Sequence, residues 1–105
     1  MSTSVIALTT LPVDADAKAL ARALVDARVA ACVNVLPIMQ STYRWQGSIE
    51  QDDERQLIIK TTSAQVEALW ERLRALHPYD VPEFVVLPIV DGSRDYLNWI
   101  GESTT

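Results

Sequence analysis

The sequence predicts an α+β fold of βαββαβ element order, with one further helix after the last strand. Three observations predict it. Residues 17–28 and 66–76 carry apolar side chains at helical spacing, and they alternate with short runs rich in β-branched residues. The two middle runs are separated by Gln46-Gly47, a two-residue hairpin turn in which glycine supplies the positive φ. Proline and glycine sit where elements end, and no internal repeat or low-complexity linker interrupts the order.

Val5-Ile6-Ala7-Leu8 has the length of a strand and ends at Thr9-Thr10-Leu11-Pro12. Asp14 and Asp16 then mark a helix start, where carboxylates cap free N–H groups and suit the dipole. Ala17, Leu20, Ala21, Leu24, Ala27 and Arg28 follow at helical spacing, the apolar members forming one face. A second strand is predicted from Val29 through Val35, continuing past Pro37 to Trp45. The return strand starts polar at Ile49 and becomes apolar at Leu57-Ile58-Ile59, leaving solvent to enter the core. Thr62-Ser63-Ala64-Gln65 resembles a capping box ahead of the second helix, which carries Val66, Leu69, Trp70, Leu73 and Leu76. His77-Pro78 ends that helix, because a residue before proline avoids the α region. A fourth strand is predicted from Glu83 to Ile89, and Asp91-Gly92-Ser93 caps a last helix bearing Tyr96, Leu97 and Ile100. The tail from Glu102 is expected to fray. The order is the split βαβ pattern of ferredoxin-like folds.

At 105 residues the chain fits a single domain, 1–105, with one modest core. Hydrophobic residues make up 49% and charged residues 22%, which is the balance of a folded globular chain. The net charge of −5 argues against nucleic acid and against an anionic membrane surface, both of which need clustered positive charge. Cys32 is the one cysteine, so no disulfide forms within the chain. The N-terminus has no basic region of the signal-peptide type, and Val5-Ile6-Ala7-Leu8 is too short to span a membrane; a cytoplasmic protein is expected.

The central hairpin is long for its domain. Arms of about 15 residues would reach ~50 Å at ~3.3 Å per residue. A domain this size spans only about 35 Å. The hairpin must bend or protrude, and Pro37 is the natural bend. A protruding hairpin would expose Tyr43, Trp45, Ile49 and bare strand edges, which a symmetric partner subunit would cover. The alternative is a hairpin curled over its own core.

Few residues offer chemistry. Cys32, within Ala30-Ala31-Cys32-Val33, is a metal ligand or, in the simpler reading, a buried core thiol. His77, the one histidine, is a metal ligand or general acid–base, or else a ring satisfying carbonyls at a helix end. Glu50, Asp52, Asp53 and Glu54 could hold a hard cation, but strand alternation turns Asp53 away from the others; a solvated hairpin edge is the simpler reading. Lys60 could bind an anion at the next helix N-terminus or extend out of the core edge. There is no G-x-S-x-G, no P-loop and no G-x-G-x-x-G. The third strand lacks the stacking aromatics of an RNA-recognition domain.

Several strings taken together resemble the CutA family of divalent-cation tolerance proteins. They are Ala30-Ala31-Cys32-Val33-Asn34 with Leu36-Pro37, then Tyr43-Arg44-Trp45-Gln46-Gly47 and Ile59-Lys60-Thr61-Thr62. His77-Pro78-Tyr79-Asp80-Val81-Pro82-Glu83 and Tyr96-Leu97-Asn98-Trp99 complete the set. The resemblance implies a ferredoxin-like subunit in a PII-like homotrimer, a non-enzymatic role, and a link to divalent metal ions such as copper. Copper-binding members resemble one another in a cysteine ending the first strand and two histidines before Pro-Tyr. Here Thr9 or Leu8 fills the first place and Leu76 one of the others, leaving His77 as the inherited ligand. A second hypothesis is a PII-like sensor whose intersubunit cleft is lined by Lys60, Tyr43, Trp45, Tyr79 and Glu83, where ring faces, one cation and one carboxylate suit a small polar ligand. The third is an enzyme using the same cleft, for which one histidine and no nucleophile pair fill few roles.

Overall fold

The computed structural model describes residues 3–105. Its strands are β1 (Ser4–Pro12), β2 (Cys32–Trp45), β3 (Ser48–Thr62) and β4 (Val85–Pro88). Its helices are α1 (Ala17–Asp26), α2 (Val66–Leu76) and α3 (Arg94–Ser103). The strands form one antiparallel sheet in the order β2-β3-β1-β4. β1 runs four residues beyond the predicted Val5–Leu8, because β3 supplies partners as far as Pro12↔Glu54. Strict alternation then buries Val5, Ala7, Thr9 and Leu11 on one face.

α1 and α2 cover that face. Leu20 and Leu24 of α1 meet Leu69 and Leu73 of α2 over Ala7, Leu11, Leu57 and Ile59, most of them wholly buried. Asp16 starts α1 as expected, its carboxylate accepting the Ala19 N–H at 3.0 Å. α1 stops at Asp26, before the predicted Arg28, which adopts φ 61° to turn the chain. Residues 29–31 therefore pack as a buried connection, and β2 begins only at Cys32.

The proposed capping box does not form. Thr62 makes no capping bond; residues Ser63–Gln65 form a single 3-10 turn, and Gln65 donates to the Thr104 carbonyl at 2.8 Å. That contact also corrects the expected frayed tail: Thr104 is buried, and its hydroxyl donates to Ile100 O at 2.9 Å. α3 lies on the second face of the sheet, where Lys60, pointing opposite to Ile59, meets the Tyr96 ring. β4 is shorter than expected, since Glu83 and Phe84 precede it, although the Ile89 N–H still reaches Ser4 O.

The hairpin is as long as the sequence implied, with arms of 14 and 15 residues. Gln46 and Gly47 both take positive φ, 50° and 84°, closing a two-residue turn. The register slips between Val35 and Ile38, so the bulge falls at Leu36-Pro37. β1 ends opposite Glu54, and the rungs from Gln40↔Asp53 to Trp45↔Ser48 project past it with no third strand among the described residues. This arm stretches the subunit to 44 × 25 × 23 Å. Trp45 and Ile49 near its tip are 43% and 67% exposed, so the arm is not curled over the core.

Candidate functional site

The outer hairpin and the loop after α2 flank an open cavity of about 740 Å³. One wall is the face of β2 and β3 carrying Met39, Tyr43, Trp45, Glu54 and Gln56. The other is the loop through Tyr79, Asp80, Pro82 and Glu83. Alternation along β3 aims Glu54 and Gln56 to this face while Leu57 and Ile59 turn to the core.

His77 anchors the loop. The residue before Pro78 is extended, at φ −81° and ψ 135°, and this swings the ring back onto β1. Its Nε2–H donates to the Thr10 carbonyl at 2.7 Å, and its Nδ1 accepts the Tyr79 N–H at 3.1 Å. A carbonyl can only accept and an amide N–H can only donate, so the two bonds define one neutral tautomer. Burial pushes the imidazole pKa below its ordinary value, while the Thr10 bond and the Glu54 charge oppose that shift.

Tyr79 makes the next link. Its hydroxyl donates to Glu54 Oε2 at 2.6 Å, across 25 residues of chain. Burial, the bond to Glu54 and that carboxylate's charge all push the Tyr79 phenol well above its usual range. Gln56 donates to Glu83 Oε2 at 3.1 Å and to the Thr9 carbonyl at 2.7 Å, fastening the far end of the loop. Out on the arm, Tyr43 donates to Asp52, and this bond, with the surrounding carboxylates, holds its phenol up to about 12.

Of the five residues assigned to a cleft, Tyr43, Trp45, Tyr79 and Glu83 meet around this cavity. Lys60 does not. It lies on β3 beneath α3, its Nζ 5.6 Å from the centre of the Tyr96 ring. Glu54 is 6% exposed and hydrogen-bonded, so it is no solvated hairpin edge. Sequence reasoning assigned Glu54 to that edge and passed over Gln56, Asp80 and Met39. The available signal was the spacing of Glu54 and Gln56, which places both opposite the apolar face of β3.

Cys32 is partly exposed rather than buried, because it pairs with Lys60 and faces away from α1 and α2. Its thiol lies 3.8 Å from Asn34 Oδ1. A metal centre does not fit these residues. One His77 nitrogen carries a proton and the other accepts one, so neither offers a lone pair. Among the described residues no group of three His, Cys, Asp or Glu side chains converges on one point.

An antiparallel β2-β3-β1-β4 sheet with a helix pair on one face and a third helix on the other defines a ferredoxin-like α+β protein. The structure of "PII-like protein CutA from Nostoc sp. PCC 7120 in apo form" superposes with a TM-score of 0.88 at 35% identity, covering 96% of this chain and 97% of that one. The structure of the divalent cation tolerance protein (Cut A1) from Thermus thermophilus superposes at 0.94 with 48% identity over 98% of this chain and all of the other. At the sequence level, the divalent-cation tolerance protein CutA of Thermus thermophilus is 50% identical over 99 residues, 94% of this chain and 96% of the relative. The family model described as CutA1 divalent ion tolerance protein matches residues 5–103. The chain belongs to the CutA1 divalent ion tolerance family.

Proposed function

We propose that this chain works as a non-enzymatic homotrimer in the tolerance of, or response to, divalent cations such as copper, in the cytoplasm. The observation that carries the assembly is the projecting arm. Among the described residues its outer rungs have no third strand, and Ile38, Trp45 and Ile49 stand in solvent at 54%, 43% and 67% exposure. β2 and β4 each leave one edge unpaired in the sheet, and bare edges of this kind are normally covered by a neighbour. Family membership supports the cation link. Light scattering at micromolar protomer should read three times the 11.7 kDa of one chain. A stable, folded lone subunit would reject the assembly.

His77 is the inherited candidate for a metal donor, and its two hydrogen bonds argue that it holds a loop instead. Copper titration of the wild type and of His77→Ala should give equal affinities. A loss of copper binding in the variant would restore His77 as a ligand.

A second reading is favoured by the cavity itself: the chain is a PII-like protein that binds a small ligand between the hairpin arm and the residue 77–84 loop. Its volume of about 740 Å³ lies within the ~300–1,000 Å³ of small-molecule sites.

A further inference from the structure

We propose that this cavity binds a small organic cation, an amine or quaternary ammonium carried on an apolar body. The proposal rests on the small-ligand reading above and supplies its ligand class. The carrying observation is the charge of the wall. The charged side chains that line it among the described residues of this subunit are Glu54, Asp80 and Glu83, all carboxylates, and the nearby His77 spends both ring nitrogens on backbone groups as a neutral imidazole. Lys60, expected from the sequence to bring a cation to a cleft between subunits, sits under α3 against Tyr96 of its own subunit.

Glu54 makes the charge imbalance costly. It is 6% exposed, and its hydrogen bond comes from a neutral phenol rather than a cation. A carboxylate removed from water without a counter-charge is destabilising, and a cation entering the cavity relieves that. The bonds from Tyr79 and Gln56 each engage one oxygen, Oε2 of Glu54 and Oε2 of Glu83. An anionic ligand would meet three carboxylates with no basic partner.

The remaining wall selects an organic ion over an inorganic one. Tyr43, Trp45 and Tyr79 line it with aromatic rings, and Met39 lines it too. Aromatic faces attract ammonium groups through the ring quadrupole and also bury an apolar body. A hard divalent ion needs six or more oxygens converging at short range, carboxylates foremost, and no group of three His, Cys, Asp or Glu side chains converges among the described residues.

The test is isothermal titration calorimetry at pH 7.5 with three probes of matched shape: phenethylammonium chloride, 2-phenylethanol and sodium 3-phenylpropionate. Phenethylammonium should bind the wild type at least about tenfold more tightly than either other probe. Glu83→Gln preserves shape and an acceptor for Gln56, and should weaken the cation about tenfold, equivalent to ~1.4 kcal/mol. Trp45→Leu should weaken it further, with circular dichroism confirming that each variant is folded. Equal affinity for all three probes, or a Glu83→Gln variant of wild-type affinity, overturns the cation proposal and leaves the cavity reading standing. No heat from any probe at 10 mM overturns both, and light scattering on the same samples reports the assembly independently.

Discussion

Replacing Tyr79 with Phe removes one oxygen atom and keeps the ring, so it isolates the bond on which Glu54 depends. Glu54 is 6% exposed, and the phenol reaches its Oε2 at 2.6 Å. Hydrogen bonds to charged groups contribute ~1.5–3 kcal/mol, and a buried acceptor stripped of its donor carries its desolvation cost as well. Tyr79→Phe should therefore destabilise the fold by about 2 kcal/mol. With a urea slope of ~1–3 kcal/mol/M, the midpoint falls by about 1 M. Circular dichroism reads this, with protomer concentration held constant because assembly contributes to stability. Glu54→Gln completes a double-mutant cycle: with a neutral amide at position 54, the same Tyr79→Phe change should cost about 1 kcal/mol less. A loss under ~0.5 kcal/mol with no coupling would show that the Tyr79–Glu54 bond does not hold the loop.

Three further changes probe other parts of the fold. The Thr9 hydroxyl is buried without a hydrogen-bond partner among the described residues, so Thr9→Val should raise the urea midpoint, by about 1 kcal/mol in stability; a lower midpoint would mean the hydroxyl has a partner. Gly47 sits at φ 84° with nothing within 4 Å of an added Cβ, so Gly47→Ala should cost ~1–2 kcal/mol through the backbone alone. Gly47→Asn should recover part of that loss, since Asn tolerates the left-handed region. His77 has a lowered pKa in the folded chain, so its contribution is complete above 6.5 and declines as pH falls below 6.5 through the folded value. His77→Asn should flatten stability between pH 7 and 5, and an unchanged pH profile would remove His77 as the source.

Legibility in the sequence differed by element, for physical reasons. α1 and α2 showed themselves because Leu20, Leu24, Leu69 and Leu73 recur at the period of the helix that buries them. Gln46-Gly47 was readable because only certain residues take the positive φ of a tight hairpin. The C-terminal half of β1 was not, since Thr9 through Pro12 look like a strand end until β3 supplies partners. The capping box failed for the same kind of reason: Gln65 finds a carbonyl 39 residues away at Thr104.

The candidate site divides along that line. Tyr43, Trp45, Tyr79 and Glu83 were chosen as ring and carboxylate groups flanking the hairpin and the second helix, and they meet at one cavity. Lys60 was chosen with them and lies elsewhere, because residue type does not say which sheet face α3 covers. The chain's local pattern determined the element order, the helix faces, the hairpin and its bend, since each follows from interactions within a few residues. Only the tertiary structure decided that His77 turns both nitrogens to backbone, that Glu54 is buried under Tyr79, and that Glu54, Asp80 and Glu83 line one cavity. The His77–Thr10 and Tyr79–Glu54 bonds join residues 67 and 25 positions apart, which no local periodicity encodes.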